Sequence, residues 1–105
     1  MRQREVFGPV LTWQTFRDEE EAVGLGNGTN YGLAAVIFSK SEERAMRLAK
    51  RIVAGTVWVN CFFVRELAAP FGGSRNSGIG REGGNWSFDF YCDLKNIAAM
   101  KGSFV

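Results

Sequence analysis

The sequence predicts an α/β fold built on a parallel sheet, and the order of its segments supports this prediction. Segments rich in β-branched and aromatic residues alternate with segments of helical periodicity, in the order strand, helix, strand, helix, strand. Such alternation implies parallel strands joined by right-handed crossovers. The 105 residues, 46% of them hydrophobic and 23% charged, have the length of one domain and the composition of a globular protein.

The first predicted strand covers residues 9–16, where β-branched and aromatic side chains concentrate. Asp18 then begins the first helix, because Glu21 follows it at the spacing of a capping box. Gly24 and Gly26 each weaken this helix by about 1 kcal/mol relative to alanine. We therefore expect a short acidic helix.

The second predicted strand is the apolar run at residues 33–39, a pattern typical of a strand buried on both faces. Ser41 can cap the next helix, in which apolar residues recur at helical spacing from Ala45 onward. Gly55 is the stop signal of that segment. Residues 56–60 then form the third strand.

The remainder of the chain breaks this alternation. Residues 70–84 form a long glycine-rich connection, and residues 86–91 are an aromatic run that is either helical or extended. Residues 94–100 are predicted as a last strand. A three-stranded parallel sheet with bare edges is a poor independent unit, because parallel sheets need both faces covered. We interpret residues 1–105 as a single partial domain, a piece of something larger.

Charge and hydropathy exclude several classes of protein. Thirteen basic and eleven acidic residues are scattered along the chain and give a net charge of +2, too weak a field to indicate nucleic-acid binding. No apolar run approaches the roughly 18 residues that cross a bilayer. No charged-then-apolar leader follows Met1. We expect a cytoplasmic protein with neither a nucleic-acid nor a membrane partner.

The absence of histidine limits the chemistry of the chain. It excludes a Ser-His or Cys-His nucleophile pair and most zinc sites, so we expect no metal centre. Cys61 and Cys92 lack a CxxC spacing and fit reduced thiols that pack as small hydrophobic residues. We assign no catalytic residue to this chain.

Three further patterns each allow two interpretations. Residues 78–83 match G-x-G-x-x-G but follow a loop, which favours a structural turn over a phosphate cradle. Arg65 either extends its charge to solvent or pairs with Glu66, or else its guanidinium binds a carboxylate. Arg81 and Asp93 either pair across the aromatic segment or remain solvated.

Four blocks of sequence occur in order along the chain. They are EVFGPV at 5–10, YGLAA at 31–35, AGTVWVN at 54–60 and PFGGSRNSGIGRE at 70–82. Together they resemble the C-terminal part of NAD(P)-dependent aldehyde dehydrogenases over residues 5–97. NCFFVR at 60–65 and WSFDFY at 86–91 are most similar to the hydroxymuconic semialdehyde dehydrogenase branch.

This resemblance implies an architecture and a reaction. Residues 1–92 would be a segment of the catalytic domain, and residues 93–100 an oligomerisation strand that extends a sheet across a subunit interface. The parent reaction is thiolate attack on an aldehyde, hydride transfer to NAD(P) and hydrolysis of a thioester. The nucleophilic cysteine, the general base and the Rossmann-like domain of the family have no counterpart in these 105 residues.

The resemblance also implies two cofactor-binding residues. Glu5 would accept hydrogen bonds from the ribose hydroxyl groups of NAD or NADP, because a carboxylate can bind both hydroxyls of a vicinal diol. Phe7 would pack beside the nicotinamide end. We expect neither cofactor to bind tightly to this chain alone.

The resemblance also implies substrate-binding and structural residues. Phe63, Arg65 and Phe71 would line the aldehyde tunnel, and a carboxylated semialdehyde substrate would give Arg65 a function. Arg81 and Asp93 would form a structural bridge near the subunit interface.

Two functions compete at this point. In the first, the chain is a segment of an aldehyde-oxidising enzyme and is inactive in isolation. In the second, it is a non-enzymatic module that self-associates, or docks on a dehydrogenase, through exposed sheet edges.

Overall fold

The predicted α/β class is confirmed by the computed structural model, which describes residues 3–102. Its elements, in chain order, are α1 (Glu19–Asn27), β1 (Ala34–Ile37), α2 (Glu42–Ala49), β2 (Thr56–Val59) and α3 (Trp86–Tyr91). One turn of 3₁₀ helix, Arg75–Ser77, lies within the glycine-rich connection. The aromatic run at 86–91 is therefore helical.

The two strands form a parallel pair with α2 as their crossover. Their register runs from Ala34 opposite Thr56 to Ile37 opposite Val59. Each strand has four residues and is shorter than the predicted segment around it. Helix α2 contacts both strands, so the best-packed part of the chain is the unit from β1 to β2.

Both helix starts follow the predicted capping chemistry. Asp18 Oδ1 accepts a hydrogen bond from the Glu21 amide at 2.8 Å, and Ser41 Oγ accepts one from the Arg44 amide at 3.3 Å. Each bond satisfies an amide that has no partner inside its own helix, which is worth about 1 kcal/mol. Helix α1 extends over nine residues in spite of its glycines.

The core is small. Only Val23 and Ala45 are buried apolar residues among those that the structure describes. The accessible surface is 9054 Å², whereas a compact monomer of this mass exposes about 5900 Å². The radius of gyration is 19.8 Å, against about 13 Å for a compact domain of this length. Large apolar faces therefore remain uncovered.

Two predicted strands are not formed. Residues 9–16 and 94–100 have no regular structure, and their large apolar side chains are exposed, with Trp13 at 85% and Leu94 at 94%. A strand needs a neighbouring strand for its backbone N–H and C=O groups, and neither segment lies beside one within residues 3–102. The predicted three-stranded sheet is thus a two-stranded sheet.

The helices of this chain are short. None of those within residues 3–102 is both long enough and apolar enough to cross a membrane.

Candidate functional site

The loop after β2 begins at a side chain that joins the carboxyl ends of both strands. The Asn60 amide group donates to Ser39 O and accepts from Ser39 N, both at 2.8 Å. The Asn60 backbone N–H donates to Ile37 O at 2.8 Å. Asn60 has a φ of 53°, in the left-handed region that asparagine tolerates better than most residues. These contacts set the direction in which the loop leaves the sheet.

An aromatic cluster of Trp58, Phe62 and Phe63 holds this loop against β2. The indole Nε1–H of Trp58 donates to Val64 O at 2.9 Å. The Trp58 ring lies 5.7 Å from the Phe62 ring in an edge-on arrangement, and 6.0 Å from the Phe63 ring. Because Phe63 itself has a φ of 57°, the chain turns sharply here and returns toward Trp58.

Arg65 lies over an aromatic face immediately after this turn. Its guanidinium carbon is 5.4 Å from the centroid of the Phe71 ring, a cation–π distance. The Phe71 backbone is fixed by two hydrogen bonds of 2.8 Å with Glu82, one in each direction. The Glu66 carboxylate instead accepts from the Ala68 amide at 3.2 Å. No ion pair joins Arg65 to a carboxylate among residues 3–102.

The structure therefore brings the three predicted tunnel residues into one loop. Arg65 and Phe71 line a cavity of about 80 Å³ together with Trp58, and the Phe63 ring lies 6.0 Å from the Trp58 ring without lining that cavity. This cavity is small beside the roughly 300–1,000 Å³ of typical ligand pockets. A substrate-binding role for these residues stays a prediction.

The predicted cofactor residues lie elsewhere. Glu5 lines an open cleft of about 450 Å³ with Tyr31 and Ser77, and this cleft shares no lining residue with the cavity at Arg65. No side chain within residues 3–102 pairs with the Glu5 carboxylate, which is exposed and so fits a role as acceptor for ribose hydroxyls. Phe7 is 95% exposed and lies against no ring or charge of the described part of the chain.

The predicted Arg81–Asp93 bridge is not formed. Arg81 donates to the carbonyls of Gly73 and Gly80, each at 2.7 Å, and to Ser74 Oγ at 3.3 Å. Three of the five N–H donors of the guanidinium are thus used by the glycine-rich connection. Asp93 is exposed in the irregular segment after α3, so nothing holds it near the guanidinium.

The G-x-G-x-x-G match forms turns within a loop. Gly80 has a φ of 76°, and a Cβ on it would lie 2.5 Å from the Phe90 ring. A glycine is needed here by both the backbone conformation and the contact with α3. The match does not follow a strand and leads into α3 only after further turns, unlike a dinucleotide-binding loop.

Sequence reasoning missed the connections that join distant segments. Arg75 donates from Nη1 to Asn27 O at 2.7 Å and to Thr29 O. It thereby ties the glycine-rich connection to the end of α1. Its acceptors lie 48 and 46 residues earlier in the chain, and no local pattern could have identified them.

The shifted pKa values belong to charges between α1 and α2, away from this loop. A hydrogen bond from Arg47 lowers the pKa of Glu19, and Arg44 adds to this effect at 2.6 Å. A hydrogen bond from Arg51 lowers the pKa of Glu20. Reciprocally, these carboxylates raise the pKa of Arg47 and of Arg51. The four shifts have a structural cause and indicate no acid–base catalyst.

The two thiols, Cys61 and Cys92, are free. No group of three or more histidine, cysteine, aspartate or glutamate side chains is placed to hold a metal ion in the described part of the chain.

Comparison with known proteins gives a consistent result. The model of the aldehyde dehydrogenase family matches residues 1–97. The 2-hydroxymuconic semialdehyde dehydrogenase of Pseudomonas sp. (strain CF600) is 54% identical over 93 residues, which are 89% of this chain and 19% of that protein. The human 2-aminomuconic semialdehyde dehydrogenase is 47% identical over 93 residues, again 89% of this chain and 19% of that protein.

Solved structures show the same relationship. HpcC from Thermus thermophilus superposes with a TM-score of 0.85 at 54% identity, covering 89% of this chain and 18% of that one. Betaine aldehyde dehydrogenase from Staphylococcus aureus in complex with NAD+ gives 0.80 at 47% identity, covering 85% and 18%. This chain therefore spans about a fifth of the length of the relatives that it matches.

Proposed function

Because the chain belongs to the aldehyde dehydrogenase family, we propose that it forms one wall of the substrate site in an enzyme that oxidises a carboxylated semialdehyde to an acid. The family oxidises aldehydes, and semialdehyde dehydrogenases are among the relatives. The observation that carries the proposal is the Arg65 guanidinium lying over the Phe71 ring, with no carboxylate of residues 3–102 paired to it.

Arg65 has the chemistry that a carboxylated substrate needs. A guanidinium presents parallel N–H donors along its edge, which match the two oxygens of a carboxylate. In this structure the guanidinium carbon lies 5.4 Å from the centroid of the Phe71 ring, and no carboxylate of residues 3–102 forms an ion pair with it. The rings of Phe63 and Trp58 lie nearby and would contact the carbon chain between the carboxylate and the aldehyde.

Glu5 is the proposed anchor for the cofactor, NAD or NADP. Its exposed carboxylate would hold the ribose hydroxyl groups, and Phe7 would cover the nicotinamide end. The bound cofactor supplies the hydride acceptor. A relative solved with NAD+ supports this assignment.

The remaining proposals concern assembly. Residues 1–92 would belong to the catalytic domain, and residues 93–100 would become an oligomerisation strand once a partner sheet edge is present. Arg81 and Asp93 would then form their bridge, because pairing of that segment would bring Asp93 to the guanidinium. We assign no acid–base or covalent step to these 105 residues, which contain no histidine.

A hybrid enzyme tests the role of Arg65. Residues 5–97 of this chain would replace the matching segment of the Pseudomonas relative. We expect Arg65→Gln to lower kcat/KM for a carboxylated semialdehyde about 10- to 100-fold, the effect of losing a charge-assisted hydrogen bond. The value for an uncharged aldehyde of equal length should stay nearly unchanged.

The matched control is Arg17→Gln in the same hybrid. Arg17 is also a surface arginine, but it pairs with Glu21 beside α1. The Arg17→Gln variant should leave kcat/KM for the charged and for the uncharged aldehyde at the level of the unsubstituted hybrid. Equal losses for the charged and the uncharged aldehyde in Arg65→Gln would contradict the proposal.

A second candidate function is favoured by the uncovered surface. The chain exposes about 3000 Å² more than a compact monomer of its mass, an area in the range of obligate interfaces. This excess favours a module that self-associates or docks on a dehydrogenase.

A further inference from the structure

We propose that Trp58 is a positioning residue that sets the place of Arg65 in the substrate wall. This inference rests on the proposed role of Arg65 as the group that binds the substrate carboxylate. Trp58 lies on β2 and reaches the residue directly before Arg65 through its hydrogen bond to Val64 O, at 2.9 Å. The strand thereby holds the backbone from which the arginine projects.

Few other contacts hold the loop that leads from β2 to Arg65. Asn60 fixes the start of the loop by its two hydrogen bonds with Ser39. Within the described part of the chain, residues 61–64 then form no backbone-to-backbone hydrogen bond to β1 or β2, and two of them contact the sheet through the Trp58 ring. The Trp58–Val64 bond is therefore the point at which the end of the loop is tied back to β2.

The opposite side of the arginine is fixed independently. The backbone from which the Phe71 ring projects is held by the paired hydrogen bonds with Glu82. Arg65 can lie over that ring only if the loop from β2 ends at the right distance from it. The indole N–H sets this distance, while the indole ring fills the space between the loop and the strand.

The tryptophans of the intact chain give a test that needs no substitution. The Nε1–H of Trp58 is hydrogen-bonded, whereas Trp13 is 85% exposed and its indole N–H has no acceptor within residues 3–102. We expect the Trp58 indole proton to exchange with solvent about five- to tenfold more slowly than that of Trp13, as one hydrogen bond implies. Equal exchange rates would overturn the proposal.

A second test follows Arg65 directly by NMR of the 105-residue chain. Protons over an aromatic ring are displaced upfield, so the Arg65 δ-methylene signals should carry this displacement and lose it in Phe71→Leu. We expect Trp58→Phe, which keeps a ring but removes the N–H, to lose most of the same displacement. Trp13→Phe is the matched control and should leave the signals unchanged.

Phe62→Leu separates the hydrogen bond from the packing of rings. It removes an edge-on contact with Trp58 but keeps the indole N–H. If Phe62→Leu moves the Arg65 signals as far as Trp58→Phe does, ring packing rather than the hydrogen bond places the arginine, and the proposal is wrong. If Trp58→Phe unfolds the chain, Phe62→Leu still tests the proposal, because loss of the Arg65 displacement in that variant would contradict it and retention would support it.

Failure of the proposed function has a different signature. In that case Arg65→Gln leaves substrate discrimination in the hybrid enzyme unchanged, while the Arg65 signals of the isolated chain still depend on Trp58.

Discussion

Asn60 shows how one side chain can define a site that lies several residues away. Asn60 directly follows β2, and its positive φ turns the chain away from the strand direction. Its two side-chain hydrogen bonds with Ser39 hold it against the segment that follows β1. The sequence predicted that a strand ends near Asn60, because the β-branched run stops there. It did not predict the hydrogen bonds between Asn60 and Ser39, because Ser39 lies 21 residues earlier in the chain.

Replacement of Asn60 should loosen the carboxyl ends of the strands. In Asn60→Ala we expect the Ser39 amide to lose about tenfold of its protection from hydrogen exchange, corresponding to about 1.4 kcal/mol for the lost bond. Asn60→Gly should have the same effect on Ser39 and less effect on the loop, because glycine keeps the positive φ without strain. The measurement is native-state hydrogen exchange. The control is Asn96→Ala, in the exposed C-terminal segment. If Asn96→Ala lowered the protection of the Ser39 amide as much as Asn60→Ala does, this account would be contradicted.

The contact between α1 and α2 illustrates what local pattern predicts well and what it does not. Both helices and their caps followed from residues three or four positions apart, which is the range over which helical periodicity acts. The ion pairs of Glu19 with Arg44 and Arg47 cross from one helix to the other and carry no such signal. The strands predicted at 9–16 and 94–100 are not formed for a related reason. Strand formation depends on a neighbouring strand to pair with and not only on the residues of the segment itself.

The same contact predicts how stability depends on pH. Folding lowers the pKa of Glu19 and of Glu20 below the usual 4.5, chiefly through hydrogen bonds from Arg47 and Arg51. The stabilisation is therefore fully present above that value and is lost as the pH falls through the lowered pKa. Because the groups are exposed, salt should weaken the effect.

Glu19→Gln tests this dependence. At about pH 7 the variant should unfold at a lower urea concentration than the unsubstituted chain, and the two midpoints should converge as the pH falls through the lowered pKa of Glu19, where its carboxylate becomes protonated. Glu42→Gln also removes a carboxylate from a first helical turn, but one without an ion pair among the described residues. It should shift the midpoint less, and convergence that fails to appear would contradict the assigned pKa shifts.

The chain as a whole leaves much of its apolar surface exposed. With a radius of gyration of 19.8 Å and two buried apolar residues within residues 3–102, it has too little core to account for a compact domain. The bare parallel sheet was predicted from the order of elements. The extent of the exposed segments was not, because burial depends on contacts between segments that are distant in the sequence. Arg65, Phe71 and Phe63 were likewise named through the resemblance, and their meeting at Trp58 became visible only in three dimensions.

Two measurements on the purified 105-residue chain follow from this surface. We expect the sedimentation coefficient to rise with concentration as apolar faces associate. We also expect no NADH formation from a semialdehyde and NAD+ above a protein-free control, because the chain supplies no nucleophile and base. A single monomeric species at all concentrations would refute the association, and turnover above the control would refute the assignment of inactivity.

The tie between Arg75 and the end of α1 has a consequence for the order of events during synthesis. Asn27 leaves the ribosome 48 residues before the side chain that donates to its carbonyl. The capping bonds at Asp18 and Ser41 can form as soon as their own helices emerge, since both partners are local. We therefore expect the unit from α1 to β2 to take shape first, with the glycine-rich connection closing over it last.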